Sequence, residues 1–338
     1  MSQPVVHSFY VPSNPNSPAP IFGDINGDKK ADVVLADSAG NIRQINGGGD
    51  PAASPVALAR SSVSGNGWNG IQLTHRGSLG NKNVDDLLAH EPGKPNLYSF
   101  TNNNTGLVDG QAPVNVTKPN ACATPDFTPI DCAAHGYGTT NWTNVTQIAA
   151  YGSVTGDSKA GLPNSLPQSS LLFVENGRLW LAIPGATNQL DSPAILLSAN
   201  DTKWDGYELI TPGRAKGTNF PTLWARNKTD GGTLHAFSLT GGTADAPVLT
   251  AATNPAAGLI TGKIDPARYP RVGSDGDLTG DNIPDLWAVD KEQQLVAFNG
   301  LGTAPDGTTV PYPTVTGIAS TFTLQGNLNT PAVQWKLN

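Results

Sequence analysis

Five times in 338 residues a glycine opens a short polar turn that runs into an apolar stretch. The copies are GDINGDKKADVVLAD at Gly23, GSLGNKNVDDLLAHE at Gly77, GSVTGDSKAG at Gly152, GRAKGTNFPTLWARN at Gly213 and GDLTGDNIPDLWAVD at Gly276. Copies spaced 54 to 75 residues apart restrict the chain to folds that stack or ring one supersecondary unit. A second apolar run follows each copy (NIRQING, NLYSFTN, RLWLAIPG, TLHAFSL, QLVAFNG), and then a third that is opened by proline (SPVALA, APVNVT, SPAILL, APVLTA, YPTVTG). Runs such as IQLTHRG, TQIAAYG and YELITPG precede the glycine. Proline has no backbone donor, so it suits the start of an outermost strand.

The unit is therefore four short strands, and such units bury their faces only against one another. With 14% charged residues, 38 Gly and 28 Pro, the chain is rich in turns and poor in helix formers. The expected fold is all-β, one β-propeller domain over residues 1–338. Six blades are favoured, with five and seven open, because TFTLQGNLNT holds a degenerate sixth turn near 326. The opening PVVHSFYVP is similar to the third strands, so the two termini would close one blade and remove exposed edges. A competing reading takes VQWKLN as the opening of a lectin-like sandwich domain.

The turns GDINGDKKAD and GDLTGDNIPDLWAVD resemble the FG-GAP/VCBS repeats of integrin α-subunit propellers and of many secreted bacterial proteins. GNGWNGIQLTHRGS with VDDLLAHE most resembles secreted actinobacterial members, and the resemblance covers nearly the whole chain. It implies a propeller with calcium in some hairpin turns and a role in adhesion or ligand recognition.

Calcium takes six to eight oxygens, which a loop can offer from alternate positions and one backbone carbonyl. The first copy offers Asp24, Asn26, Asp28, the Lys30 carbonyl and Asp32; the fifth offers Asp277, Thr279, Asp281, the Ile283 carbonyl and Asp285. The alternative is a turn closed by its own side chains. The second copy has Lys82 at a ligand position and the fourth has Arg214 and Lys216, so a fixed cation there would replace the ion. The third, with Ser153, Thr155, Asp157 and Gly161, is a weak site. Carboxylates gathered on an ion have no free face for glycoside hydrolysis, which needs two facing one sugar. His7, His75, His90, His135 and His235 are scattered, and no G-x-S-x-G occurs. The expectation is a binding protein rather than an enzyme, with a propeller hydrolase or lyase as the third reading.

Trp68, Trp142 and Trp204 recur nine or ten residues ahead of a repeat glycine. Two readings stand: rings that stack on a sugar, with Asn69, Asn141, Asn144 and Asp205 as polar neighbours, or rings packed between blades. Trp180, Trp224 and Trp287 fall inside strands and read as core. The polar turns at 37–41, 90–96 and 226–232 suit recognition. An insertion over 119–140 carries Cys122 and Cys132, and two readings stand for it: a lid over one side of the face that carries these turns, or a tolerated surface insertion. A disulfide between them, rather than two free thiols, points to an oxidising compartment, and His135 alone does not complete a metal site.

A net charge of −7 without a basic run argues against nucleic acid. No apolar run approaches the roughly 20 residues that span a bilayer, and MSQPVVHSFY lacks the charged and apolar regions of a signal peptide. The expected role is a secreted, calcium-stabilised, lectin-like module binding carbohydrate or a cell-surface glycan. The runner-up is a protein-adhesion or scaffold module acting with other domains or subunits of a secreted assembly.

Overall fold

The computed structural model describes residues 23–36, 42–45, 56–58, 67–68, 70–78, 83–102, 113–154, 168–185, 189–198, 203–214, 220–237, 239–243, 246–252, 263–276, 284–291, 295–298, 300–303 and 309–315. The degenerate turn near 326, VQWKLN and the closure by the termini lie outside them. The chain is all-β: helix among the described residues amounts to two 3-10 turns, Ala133–His135 and Trp204–Gly206.

Among the described residues, five sheets of three or more strands and two separate hairpins follow in chain order. The first is β1 (Val33–Ala36), β2 (Ile42–Ile45) and β3 (Val56–Leu58). The second is β4 (Gln72–Gly77), β5 (Asp86–His90), β6 (Leu97–Phe100) and β7 (Val114–Asn115). Two short strands, β8 (Cys122–Ala123) and β9 (Pro129–Ile130), precede the third sheet of β10 (Val145–Gly152), β11 (Ser170–Glu175), β12 (Arg178–Pro184) and β13 (Leu190–Leu196). The fourth holds β14 (Tyr207–Arg214), β15 (Pro221–Asn227) and β16 (Leu234–Phe237), and the separate two-stranded hairpin β17 (Thr240–Thr243) and β18 (Ala246–Leu249) follows it in the chain. The fifth repeats that plan with β19 (Arg271–Gly276), β20 (Asp285–Val289), β21 (Leu295–Phe298), β22 (Gly300–Thr303) and β23 (Thr309–Val315).

The repeat glycines have a physical reason. Gly23, Gly77, Gly152, Gly213 and Gly276 have φ of 91°, 75°, 100°, 76° and 109°, a region that costs glycine little and other residues more. A Cβ on Gly23 would also collide with the Asp275 carbonyl oxygen. In the last four sheets the glycine stands at or next to the end of the first strand, after a register shift, and pairs with one of the first residues of the second: Gly77 with Asp86, Gly152 with Ser170, Gly213 with Thr222, Gly276 with Asp285. In the first copy the Asp32 N–H donates to the Gly23 carbonyl at 2.9 Å. The third turn corrects the ungapped alignment, since Ser170 and not Gly161 stands opposite Gly152.

Cores form between consecutive sheets, as units that cannot bury their own faces require. Ile25, Val34, Ala36 and Ile42 pack with Leu87, Ala89 and Phe100. Leu88 and Leu97 pack with Ile148, Phe173 and Trp180; Tyr151, Leu172 and Leu181 with Leu209, Leu223 and Phe237; Ile210, Trp224 and Ala236 with Val272, Leu286 and Ala288. The first strands β4, β10, β14 and β19 lie side by side in that order. The fifth sheet in turn reaches the first, where Arg271 Nη1 donates to the Ala36 carbonyl at 3.4 Å.

Two edge expectations change. The proline-led run SPAILL is not outermost, because β8 pairs with β13 in parallel and the third sheet gains two strands. The insertion is thus an extension of a sheet edge rather than a lid over a face. Its Cys122–Cys132 disulfide is present, with Cα atoms 5.3 Å apart.

Candidate functional site

The turn at 24–32 is wound by its own side chains. Asp24 accepts the Gly27 N–H at 2.6 Å and the Lys29 N–H at 2.8 Å, Asn26 Oδ1 accepts the Asp28 N–H, and Asp28 accepts the Lys30 N–H. Asp32 Oδ2 accepts the Ile25 and Asn26 N–H groups and the Gln44 amide. Asp24 and Asp32 are fully buried, and burial pushes the Asp24 carboxyl above its ordinary value against those two N–H bonds. Three carboxylates, an amide and a carbonyl are hard oxygens of the kind Ca²⁺ takes. Among the described residues, however, no three acidic, His or Cys side chains converge as a ligand group. Asp285 is fully buried at the start of β20. Asp277, Thr279, Asp281 and Ile283 lie outside the described residues, as do Lys82, Lys216 and the side chain of Arg214.

Trp68, Trp142 and Trp204 are each 2% exposed and stand in three different inter-sheet cores. Trp68 meets Phe100 edge-on at 5.2 Å, Trp142 meets Phe173 at 5.4 Å and Trp204 meets Phe237 at 5.2 Å. Their faces are covered by protein, so the packing reading fits and sugar stacking on them lacks an open ring. In the fifth sheet Tyr269 takes the same place against Phe298 at 5.4 Å, a substitution the tryptophan spacing does not reveal. Asp205 is exposed and accepts the Thr146 hydroxyl at 2.9 Å, and Asn144 is exposed. Trp180, Trp224 and Trp287 are buried, as their strand positions suggest.

A cavity of about 400 Å³ opens between β4, β10, β14 and β19. Its polar side chains tie one sheet to the next. Five residues before the last four repeat glycines stand Gln72, Gln147, Glu208 and Arg271. The Gln72 amide donates to Thr146 O at 2.7 Å and accepts from Ile148 N at 3.0 Å; Gln147 does the same with Tyr207 O at 2.8 Å and Leu209 N at 3.2 Å. Glu208 accepts from Val272 N at 3.3 Å, but a carboxylate cannot donate. Arg226 supplies the missing donors, binding Glu208 and the Tyr269 and Ile264 carbonyls. Three of them stand in the sequence as the polar interruptions of IQLT, TQIA and YELI, a signal that the search for turns and rings does not weigh.

Below this ladder His75 sits between Asp275 (2.6 Å) and Asp85 (3.3 Å). Burial opposes its charge, yet the two carboxylates outweigh it and raise its pKa to about 10. Asp85 also receives the Gly23 and Gly77 N–H groups, and Asp275 the Trp287 indole, so this histidine is a structural tie. His90 is likewise tied between the Asn96 and Val145 carbonyls.

The insertion is held by a buried ion pair. Lys118 Nζ lies 2.8 Å from both Glu175 oxygens, donates to Asn141 O at 3.0 Å, and sits 4.4 Å from the Tyr137 ring centroid and 5.6 Å from that of Trp142. Burial presses both partners toward neutrality and their mutual attraction opposes it. Beside this pair, between the outer edges of the second and third sheets, runs a cleft of about 500 Å³ lined by Asn115, Thr117, Asn120, Thr140, Gln189 and Asp191. A parallel bridge joins Thr117 to Gln189 across it. A second depression of about 250 Å³, walled by Trp68, Ile71, Tyr98, Glu91 and Lys94, adjoins it, and Pro95 and Asn96 line both. No family model matches the chain, and no curated protein does either.

Proposed function

We propose that the chain is a secreted β-propeller module that recognises carbohydrate, with Ca²⁺ steadying its acidic hairpin turns. The sheets act as blades, each first strand facing the axis. The contacts from Arg271 to Ala36 and from Asp275 to Gly23 favour a ring of five over six. The observation that carries the binding reading is the pair of adjoining depressions, whose walls combine amides and hydroxyls with the Tyr98 ring, apolar side chains and the charged Glu91, Lys94 and Asp191. That composition suits a ligand whose every hydroxyl both donates and accepts. Secretion is supported by the Cys122–Cys132 bond, which persists in oxidising compartments.

The Ca²⁺ part rests on the oxygens of Asp24, Asn26, Asp28, Lys30 and Asp32, which would hold the ion, while the ion would supply fixed positive charge to buried carboxylates. Glycan-array binding by the purified protein tests the recognition part; a protein partner captured without any glycan signal would replace it with adhesion. Chelation is expected to lower the melting temperature of wild type, with Asp24→Asn abolishing that response. An unchanged melt after chelation would remove the ion from the account.

A further inference from the structure

We propose that the cleft beside the disulfide-stapled insertion is the sugar-binding site and that it takes a run of neutral sugar units rather than a single terminal one. This rests on the carbohydrate reading above. The side chains of Asn115, Thr140, Gln189 and Asp191 line the cleft and make no hydrogen bond or ion pair among the described residues. Asn120 is held in place there, its Oδ1 accepting the Ser192 hydroxyl at 2.9 Å and its own N–H donating to Ser192 Oγ at 3.0 Å. That bond orients the amide and leaves its NH₂ group without a partner among the described residues. The cleft therefore presents amide donors, amide acceptors and one carboxylate acceptor on a fixed frame.

The walls are fixed before any ligand arrives. The disulfide closes the insertion on itself, and Lys118 with Glu175 pins its root, so little ordering is left for binding to impose. Charge narrows the ligand. Lys118 is already neutralised by Glu175, and Glu91 offsets Lys94 at the far depression, which leaves Asp191 to repel acidic polysaccharides. Length follows from continuity: the larger cleft alone falls within the ~300–1,000 Å³ of small-molecule sites. A chain passing Pro95 and Asn96 enters the second depression beside Tyr98, whose hydroxyl accepts from the Asn96 amide at 2.7 Å.

The test is calorimetric titration of wild type, Asn120→Ala, Asp191→Asn and Gln147→Ala with cellotetraose, chitotetraose and mannotetraose, and with the matching monosaccharides. At least one tetrasaccharide is expected to bind, at least about tenfold more tightly than its monosaccharide. Asn120→Ala and Asp191→Asn should each weaken it by about tenfold or more with unchanged melting, and Gln147→Ala should keep the affinity. A tetrasaccharide bound equally by both cleft variants overturns this site while leaving carbohydrate recognition standing. Equal affinity for monosaccharide and tetrasaccharide overturns the extended mode. No binding by any probe, together with a blank glycan array, overturns the site and the function alike.

Discussion

The central cavity and the cleft at the insertion are of similar size, and both are lined with polar groups, but those groups differ in what they already do. At the centre Gln72, Gln147 and Glu208 are engaged with the backbone of the next sheet, and Arg271 with the first. In the cleft Asn115, Thr140, Gln189 and Asp191 are unengaged among the described residues. A ligand entering the centre would have to displace bonds that hold the sheets together, whereas one entering the cleft meets capacity that no described residue uses. A cavity's volume thus says less about its purpose than the partners of its lining.

Substitutions that sharpen this contrast fall in a clear order of size. Lys118→Met should cost most, about 3–5 kcal/mol, because it leaves the Glu175 carboxylate buried without its partner. Adding Glu175→Leu should recover much of that loss, since an apolar pair can replace a buried ion pair; chemical denaturation of both proteins checks it. Gln147→Ala comes next, at about 1–3 kcal/mol, by stranding Tyr207 O and Leu209 N at the junction of the third and fourth sheets.

The His75 tie makes a pH prediction. Its folded pKa, about 10, lies above the ordinary 6.5, so its contribution is fully present below pH 6.5 and is lost as pH rises toward 10. Stability should therefore decline over that window in wild type and decline less in His75→Asn, as read by denaturation midpoints at a series of pH values. Smallest is Asp191→Asn, an exposed change expected to alter stability by less than about 0.5 kcal/mol. A large loss there would mean that the cleft is structural after all.

Much of the frame was legible in the sequence, and the reasons are particular. The repeat glycines mark a left-handed backbone position that other residues fill at a cost, so the alignment finds them even where the acids of the turn have changed to Arg214 or Ser153. Burial of the recurrent tryptophans was not legible. A repeated ring at a sheet junction has the same spacing whether it faces solvent or packs on Phe100 or Phe237, and only neighbours distant in sequence decide. Tyr269 escaped for a similar reason, since its role is defined by Phe298 and not by its residue type. The cleft could not be read at all, because segments near 96, 115–120, 139–142 and 189–192 meet only after the insertion pairs with β13.

The measurement that bears most directly on this account is the ¹H–¹⁵N spectrum of the labelled protein titrated with whichever neutral tetrasaccharide it binds. Shifts concentrated at 115–120, 139–142 and 189–192, with 72–74, 147–149 and 271–275 undisturbed, are the predicted result. Shifts concentrated along the first strands at the centre, with the cleft silent, would contradict it.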